Sequence, residues 1–242
     1  MIKNSGLNVP VVTIDGPSGT GKGTVAARVA GRLGWHVLDS GALYRAFAYA
    51  ARIKGVNPDD LQGIVDCDAD SAIIFESIAG EVRIILAGED VTDAVRSEEG
   101  GRAASVYAAI PAVRSILLAR QRAARKPPGL VADGRDMGTV VFSDADAKIF
   151  LDASPKVRAE RRYKQLKEKG FDVNLARLEK EIAERDHKDA TRTESPLILA
   201  EDAFRVDTSH KSIDEVVEQV MGCIRSCLRV RPVKSTKPGI VT

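Results

Sequence analysis

The chain has 242 residues, a length that fits one domain or one domain carrying an insertion. Its 36 Lys and Arg side chains against 34 Asp and Glu leave a net charge of only +2, which gives no indication of a nucleic-acid or membrane partner. The three cysteines include no C-x-x-C pair, which argues against a disulfide framework and a zinc site. Without a signal-like apolar start or an apolar run of about 20 residues, we expect a cytoplasmic protein with no membrane contact.

The first elements along the chain form a strand, a glycine-rich turn, a helix and a second strand. Val11–Asp15 is a short β-branched run typical of a buried strand. Apolar residues then recur at helical spacing from Lys22, and Gly34 stands where a C-cap glycine belongs. Residues 35–38 read as the next strand. This order predicts a parallel sheet.

The middle of the chain has a different texture. Residues 42–54 and 59–67 have helical spacing, whereas 72–75 and 82–86 predict a β-hairpin. Antiparallel strands within an alternating α/β chain indicate an inserted subdomain, which we place at about residues 58–95.

Strand-like runs return at 130–133, 148–152 and 204–207, giving five predicted core strands. Pro111 fits the first position of a helix extending toward residue 125. Ser212 and Glu215 fit a capping box for a final helix. We expect a disordered tail over about 233–242.

A phosphate-binding loop is the strongest motif. Gly16-Pro17-Ser18-Gly19-Thr20-Gly21-Lys22 matches G-x-x-x-x-G-K between a predicted strand and a predicted helix. Such a loop directs backbone N–H groups and a helix N-terminus at phosphate oxygens, and its lysine contacts the β- and γ-phosphates of ATP. Gly23 stands where a Mg²⁺-binding Ser or Thr is usual, and the hydroxyl follows at Thr24. The motif leaves open whether Thr24 contacts the metal directly or through water.

Two polar segments follow predicted strands, where ligands bind in parallel α/β sheets. The first, 39–45, contains Ser40 and, one turn later, Arg45, whose guanidinium suits a monophosphate. The alternative for Arg45 is an exposed helix arginine. The second segment, 133–138, begins at Asp133, which is either a carboxylate that holds Mg²⁺ through water or an ordinary loop aspartate.

The segments IDGPSGTGKGT, LDSGALYR, DGRDMGTVVF and IFLDAS occur in this order and together resemble the signature blocks of the bacterial-type cytidylate kinases, within the P-loop nucleoside monophosphate kinases. The resemblance covers about residues 11–228. It implies a single α/β kinase domain with helices on both faces of a parallel sheet and a core of about 11–57, 96–153 and 193–228. The remainder is the nucleoside monophosphate (NMP)-binding insert at about 58–95, with its small antiparallel sheet, and a short helical lid at about 154–192.

The resemblance also implies roles for individual residues. Ser105, Arg114 and Asp136 are similar to residues that read the cytosine edge. Arg45, Arg135 and Arg192 look like the residues that hold the phosphate of CMP. Arg185 and Asp189 look like the contact to the sugar, and in the lid Arg158 and Arg162 are candidates to contact the transferring phosphoryl group.

The reaction implied is transfer of the γ-phosphoryl group from Mg²⁺-bound ATP to CMP or dCMP by in-line displacement. The acceptor phosphate is already nucleophilic, so no general base is needed and positioning and charge carry the catalysis. Lys22, Asp133 and the lid arginines are the expected catalytic residues, with any metal contact of Thr24 and Asp133 through water. We expect a monomer whose partner is the small-molecule substrate and not a nucleic acid.

Two alternatives stay open on the residues alone. The first is another P-loop kinase that acts on UMP, AMP or a small metabolite. The second is a nucleotide-gated regulatory module. Two observations argue against it: the sequence has no guanine-reading N-K-x-D string, and arginines follow several predicted strands.

Overall fold

The computed structural model describes residues 9–70, 73–78, 81–168 and 170–230. Along the chain the elements are β1 (Val11–Asp15), α1 (Lys22–Leu33), β2 (His36–Asp39), α2 (Ser40–Ile53), α3 (Leu61–Asp70), β3 (Ile73–Ile78), β4 (Glu81–Leu86), β5 (Glu89–Asp90), α4 (Thr92–Arg96), α5 (Glu98–Tyr107), α6 (Pro111–Ala123), β6 (Leu130–Gly134), a π-helical turn (Met137–Val141), β7 (Ala147–Asp152), α7 (Pro155–Glu168), α8 (Leu175–Thr191), β8 (Phe204–Asp207) and α9 (Ile213–Val230).

Five strands form one parallel sheet in the order β2-β6-β1-β7-β8. All five residues of β1 are buried, as its β-branched sequence predicts for a strand covered on both faces. The predicted parallel sheet and its five strands are confirmed, with bounds shifted by one residue at β2, β6 and β7. Because the sheet is parallel, the polar segments after β1, β2, β6 and β7 meet at one edge.

Helices cover both faces of this sheet. On one face α1 and α9 pack through Val25, Val29 and Val217 against Ile14 and Ile149. On the other face α6 and the π-helical turn pack against Leu130 and Ala132. The predicted α/β architecture is therefore confirmed.

The predicted helix signals are also present. Gly34 ends α1 in a left-handed conformation with φ 67°, Pro111 begins α6, and Ser212 and Glu215 form a capping box at the start of α9. α2 begins at Ser40, two residues before the predicted start, because the Asp39 carboxylate accepts a hydrogen bond from the Ala42 N–H and caps the helix.

A three-stranded antiparallel sheet, β3-β4-β5, lies within the region predicted as the insert. Ile84, Val91 and Val95 from this region pack against Ala42 and Ala46 of α2, so the insert rests on the helix that follows β2. The predicted hairpin is present as β3 and β4, although residue 72 and the turn residues 79–80 lie outside the described residues. The two-residue strand β5 was not predicted.

α5 was also missed, because Gly100 and Gly101 disfavour a helix. Here the glycine is required by packing: a Cβ on Gly100 would lie 2.4 Å from the carbonyl oxygen of Val95. The Ser97 hydroxyl accepts a hydrogen bond from the Gly100 N–H at 3.0 Å and caps the helix.

The predicted lid region contains two helices, α7 and α8, packed against each other. The tail predicted over 233–242 lies outside the described residues. No single described helix has the length and apolar character to cross a membrane; α5 from Glu99 and α6 meet these criteria only as a pair bent by 103°.

Candidate functional site

The loop between β1 and α1 has the backbone geometry of a phosphate cradle. Gly16, Gly19 and Gly21 have φ angles of 148°, 82° and 86°, which disfavour residues with a Cβ. A Cβ on Gly16 would lie 2.1 Å from the carbonyl oxygen of Leu151, so β7 leaves no space for a side chain. The Thr20 hydroxyl donates to the Pro17 carbonyl at 3.0 Å and closes the loop internally.

Lys22 and Asp133 are the charged groups at the centre of this edge. The Lys22 ammonium donates to the Pro17 carbonyl at 3.2 Å. Burial, with a further contribution from Arg135, lowers the pKa of Lys22 to about 7, although Asp133 opposes this shift. Burial also raises the pKa of Asp133 to about 7, against the effect of Lys22.

Asp133 also explains the unusual glycine in the loop. A Cβ on Gly23 would lie 3.2 Å from Oδ2 of Asp133, so a larger residue there would crowd the carboxylate. Oδ1 of Asp133 is buried without a hydrogen-bond partner among the described residues. Thr24 is exposed on the first turn of α1.

Asp15 is a buried carboxylate for which the sequence analysis predicted no role. It accepts hydrogen bonds from the N–H groups of Met137 at 2.9 Å and Gly138 at 2.8 Å. Burial raises the pKa of Asp15 to about 6, although these two bonds act to lower it. Asp15 therefore attaches the loop that carries Arg135 and Asp136 to the end of β1. A carboxylate ending a buried strand was the available signal.

Arg114 and Asp136 form a largely buried ion pair, with side chains that are 11% and 4% exposed. The Arg114 guanidinium also lies over the ring of Tyr44, 5.8 Å from its centroid. Burial raises the pKa of Tyr44 to about 12. Arg114 and Asp136 are therefore in contact, and their role at the cytosine edge stays a prediction. The ring contact of Tyr44 with Arg114 was not predicted.

Arg135 and α8 build a second cluster. Nε of Arg135 donates to Asp189 at 2.9 Å. Burial alone would raise the pKa of Asp189, but Arg135, Arg185 and Arg192 together lower it. Nε of Arg192 donates to the Ser195 carbonyl at 2.5 Å, while Nη2 of Arg192 is buried without a described partner. Burial lowers the pKa of Arg192.

Arg45 and Arg185 converge over α5. A Cβ on Gly101 would lie 3.6 Å from Nη2 of Arg45 and 3.9 Å from Nη1 of Arg185. Nη1 of Arg45 lies 3.5 Å from the Arg96 carbonyl. Ser105 stands one turn beyond Gly101, where its hydroxyl donates to the Gly101 carbonyl at 3.1 Å. The structure brings the two arginines together and leaves Ser105 exposed at the margin.

Ser40 differs from the other predicted substrate residues. Its side chain is buried, and its hydroxyl accepts a hydrogen bond from Nε2 of Gln121 at 2.8 Å. In this structure Ser40 joins α2 to α6.

The two lid arginines have different environments. Arg158 is only 2% exposed and its guanidinium bonds the carbonyls of Ala153 and Ser18 and the carboxylate of Asp186. Arg162, one turn further along α7, is half-buried.

The comparisons with known proteins agree with this geometry. A model of the cytidylate kinase family matches residues 12–226. A cytidylate kinase from Aeromonas salmonicida (strain A449) is 55% identical over 88% of this chain and 92% of its own, and one from Edwardsiella ictaluri (strain 93-146) is 52% identical over 91% and 98%.

The chain belongs to the cytidylate kinase family. The predicted resemblance is therefore confirmed, and the regulatory-module alternative gains no support from these relatives. Among solved structures, a gluconokinase from Sinorhizobium meliloti 1021 aligns over 92% of this chain and 96% of its own, at 14% identity and a TM-score of 0.47.

Within this cytidylate kinase family member, sequence reasoning missed Asp15, Tyr44, Gln121 and Asp186. Tyr44 lies inside the quoted LDSGALYR block, but its ring contact with Arg114 joins α2 to α6 and has no local signal. Asp186 is one of several acidic residues on α8, and the sequence around it does not distinguish it from the exposed ones.

Proposed function

We propose that this protein transfers the γ-phosphoryl group of ATP to CMP or dCMP, giving ADP and CDP or dCDP. The observation that carries the proposal is the meeting of two groups at one edge of the sheet in a cytidylate kinase family member. One is a glycine-built loop suited to the phosphates of ATP, and the other is a set of arginines suited to a second, smaller phosphate.

On the donor side, the loop of residues 16–24 holds the phosphates of ATP through its backbone N–H groups, which Pro17 alone lacks. Lys22 leaves the Pro17 carbonyl and contacts the β- and γ-phosphates, whose negative charge raises its lowered pKa and fixes it in the protonated form. The same charge then stabilises the oxygens of the transferring group.

Magnesium fits the residues beside this loop. Mg²⁺ retains several waters and is held through few carboxylates plus substrate phosphates. We assign Asp133 and Thr24 to hold the ion through water. Oδ1 of Asp133 supports this assignment, because it is buried and has no hydrogen-bond partner among the described residues. The metal would neutralise phosphate charge. Among the described residues no group of three His, Cys, Asp or Glu forms an all-protein metal site.

On the acceptor side, Arg45, Arg135 and Arg192 hold the phosphate of CMP. Arg185 and Asp189 contact the sugar. Nη2 of Arg192 supports this assignment, because a buried guanidinium nitrogen without a described partner is available to an incoming phosphate oxygen.

The cytosine edge is read by Arg114 and Asp136, with Ser105 at the margin. Cytosine presents an exocyclic amine that donates and a ring nitrogen and carbonyl that accept, which matches one carboxylate beside one guanidinium. A base with the opposite pattern would leave this buried pair unsatisfied, and such mismatches are rejected strongly.

Attack by a CMP phosphate oxygen on the γ-phosphorus needs no general base. Arg162, half-buried on α7, is the lid residue that we propose contacts the transferring group. The guanidinium of Arg158 bonds protein acceptors in this structure. Closure of α7 and α8 over both nucleotides would exclude water. We propose that the enzyme acts as a monomer in the cytoplasm.

The experiment is a coupled ADP-release assay with ATP and, separately, CMP, dCMP, UMP, AMP and GMP at equal concentration, with and without Mg²⁺. We expect turnover to favour CMP and dCMP and to require Mg²⁺. Preference for another monophosphate would overturn the acceptor assignment, and ATP hydrolysis at similar rates without any acceptor would contradict water exclusion.

A further inference from the structure

We propose that Asp186 is a positioning residue that locks the acceptor-binding helix α8 to the donor phosphate loop through the buried side chain of Arg158. The proposal rests on the proposed function, because it concerns alignment of the two substrates. It assigns Arg158 to this lock and not to contact with the phosphoryl group.

Arg158 joins three parts of the molecule. Its Nε donates to the Ala153 carbonyl at 2.9 Å, beyond the end of β7, and its Nη1 donates to the Ser18 carbonyl in the phosphate loop at 3.0 Å. Both Nη atoms bond the carboxylate of Asp186 on α8. The Arg158 side chain is 3% exposed and that of Asp186 is 25% exposed. The ion pair is therefore largely shielded from water and held in one bidentate geometry.

The loop also packs directly on this side chain. A Cβ on Gly19 would lie 3.1 Å from the Cβ of Arg158. The position of Arg158 is thus fixed by the donor loop on one side and by Asp186 on the other. A movement of α8 would therefore displace the guanidinium that bonds the Ser18 carbonyl.

Asp186 lies within the part of α8 that carries the acceptor residues. Arg185 and Asp189 are four residues apart and therefore lie on one side of the helix, and Arg192 follows as the C-cap residue of α8. Asp186 is one residue, or about 100°, further around, facing Arg158 of α7. The contact at Asp186 therefore fixes the rotation of α8 about its axis and its position along that axis. It thereby positions the three acceptor residues relative to the phosphate loop.

Stability alone does not explain an ion pair at this point. A buried pair is on average no more stabilising than apolar residues of similar size, because both charges lose their hydration. Its advantage is directional, since a bidentate pair admits one arrangement. In-line transfer is sensitive to such an arrangement: a displacement of about 1 Å can lower a rate roughly 10²-fold.

The first test compares Asp186→Asn with Glu181→Gln. Both remove an acid from α8 that pairs with an arginine, but the Arg177–Glu181 pair is exposed and lies outside the site. We measure kcat and KM for CMP, and the Kd of CMP and of a non-hydrolysable ATP analogue separately. We expect Asp186→Asn to lower kcat about 10²-fold while each Kd stays within threefold. Glu181→Gln should match the wild type.

The second test separates positioning from folding. The double variant Arg158→Met, Asp186→Leu removes both charges, so no uncompensated charge is left buried, and its Tm should return to near the wild-type value. Its kcat should nevertheless stay about 10²-fold low, because the direction of the contact is lost. Recovery of kcat together with Tm would show a purely structural pair and overturn the proposal, even if Asp186→Asn failed to fold.

A kcat of Asp186→Asn within threefold of the wild type, or a loss that resides wholly in the Kd of CMP, would likewise overturn the positioning assignment. An active wild type with an unaffected variant contradicts only this inference. A wild type inactive with every monophosphate contradicts the proposed function and removes the basis of the inference.

Discussion

The donor loop and the acceptor cluster bind the same chemical group, a phosphate, with different parts of the chain. The donor loop is suited to phosphate mainly through its backbone, which three glycines with positive φ angles shape, and it adds one lysine within residues 16–22. The acceptor cluster consists of side chains: arginines from α2, from α6, from the loop after β6 and from the C-terminal part of α8. In it Asp136 pairs with Arg114 and Asp189 pairs with Arg135. The loop depends on backbone conformation, whereas the cluster depends on charge balance, and the two should respond differently to substitution.

The largest effect should come from the single cation of the loop. Lys22→Met should lower kcat roughly 10³-fold, because no other loop side chain replaces the charge on the transferring group. The variant should remain folded and melt at a higher temperature without nucleotide, since burial lowers the pKa of Lys22 to about 7 and makes its charge costly there. Steady-state kinetics and a thermal melt test both expectations. Lys167→Met is the control, because Lys167 is an exposed residue of α7 that pairs with Asp172. Near-normal turnover would remove Lys22 from the mechanism.

Backbone dependence of the loop is tested by Gly16→Ala against Gly34→Ala. Both glycines have positive φ, but only at Gly16 would the new Cβ meet a backbone oxygen, at 2.1 Å; nothing lies within 4 Å of Gly34. Gly34→Ala should cost about 1 kcal/mol of unfolding free energy and Gly16→Ala about 3 kcal/mol or more. Urea denaturation measures the difference. Equal costs would show that the tight approach to Leu151 is not a constraint.

Charge balance in the cluster is tested by Arg114→Met. Loss of the guanidinium should lower kcat/KM for CMP about 10²-fold and leave the KM for ATP within threefold, because the cytosine edge loses its partner while the donor loop is untouched. Arg120→Met is the control on the same helix, since Arg120 pairs with Asp68 outside the site. The variants are compared below their melting temperatures. A parallel loss of ATP affinity would show that the two halves are not separable.

The smallest effect is a pH dependence at the junction of the two halves. Burial raises the pKa of Asp15 from 3.8 to about 6, so the folded protein binds more protons than the unfolded chain between these values. This contribution to the unfolding free energy therefore falls as pH rises through about 4 to 6, by at most about 1.4 kcal/mol per pH unit.

Asp15→Asn should remove this pH dependence of the unfolding free energy, so above pH 6 the variant should gain stability relative to the wild type. At every pH it should also lose a constant amount of unfolding free energy, because the amide has one acceptor oxygen for two N–H donors. Denaturation curves at four pH values between 4.5 and 7.5 provide the comparison. A difference between wild type and variant that is independent of pH would contradict the raised pKa.

The same contrast explains what could be predicted from the sequence. The donor loop is contiguous in sequence, so its glycines and Lys22 could be predicted from their position between a strand and a helix. The parallel sheet could be predicted from the order of the elements. The Arg114–Asp136 pair was reached only through resemblance to a family, because its partners are 22 residues apart and belong to different elements.

Contacts made across helices had no local signal at all. Tyr44 beneath Arg114, Gln121 on Ser40 and Asp186 on Arg158 depend on how α2, α6, α7 and α8 pack together. α5 was missed because glycine has low helix propensity, which here is overridden by the close approach of Val95 to Gly100.

Phosphoryl transfer from the donor loop to the acceptor cluster is observed directly by ³¹P NMR of the wild-type protein with Mg²⁺, ATP and CMP. If the γ-phosphoryl group passes to CMP, resonances of CDP and ADP grow together in equal amounts, with little inorganic phosphate. Inorganic phosphate growing with ADP while CMP persists would contradict it, because the γ-phosphoryl group would then be passing to water and not to the acceptor held by the arginines.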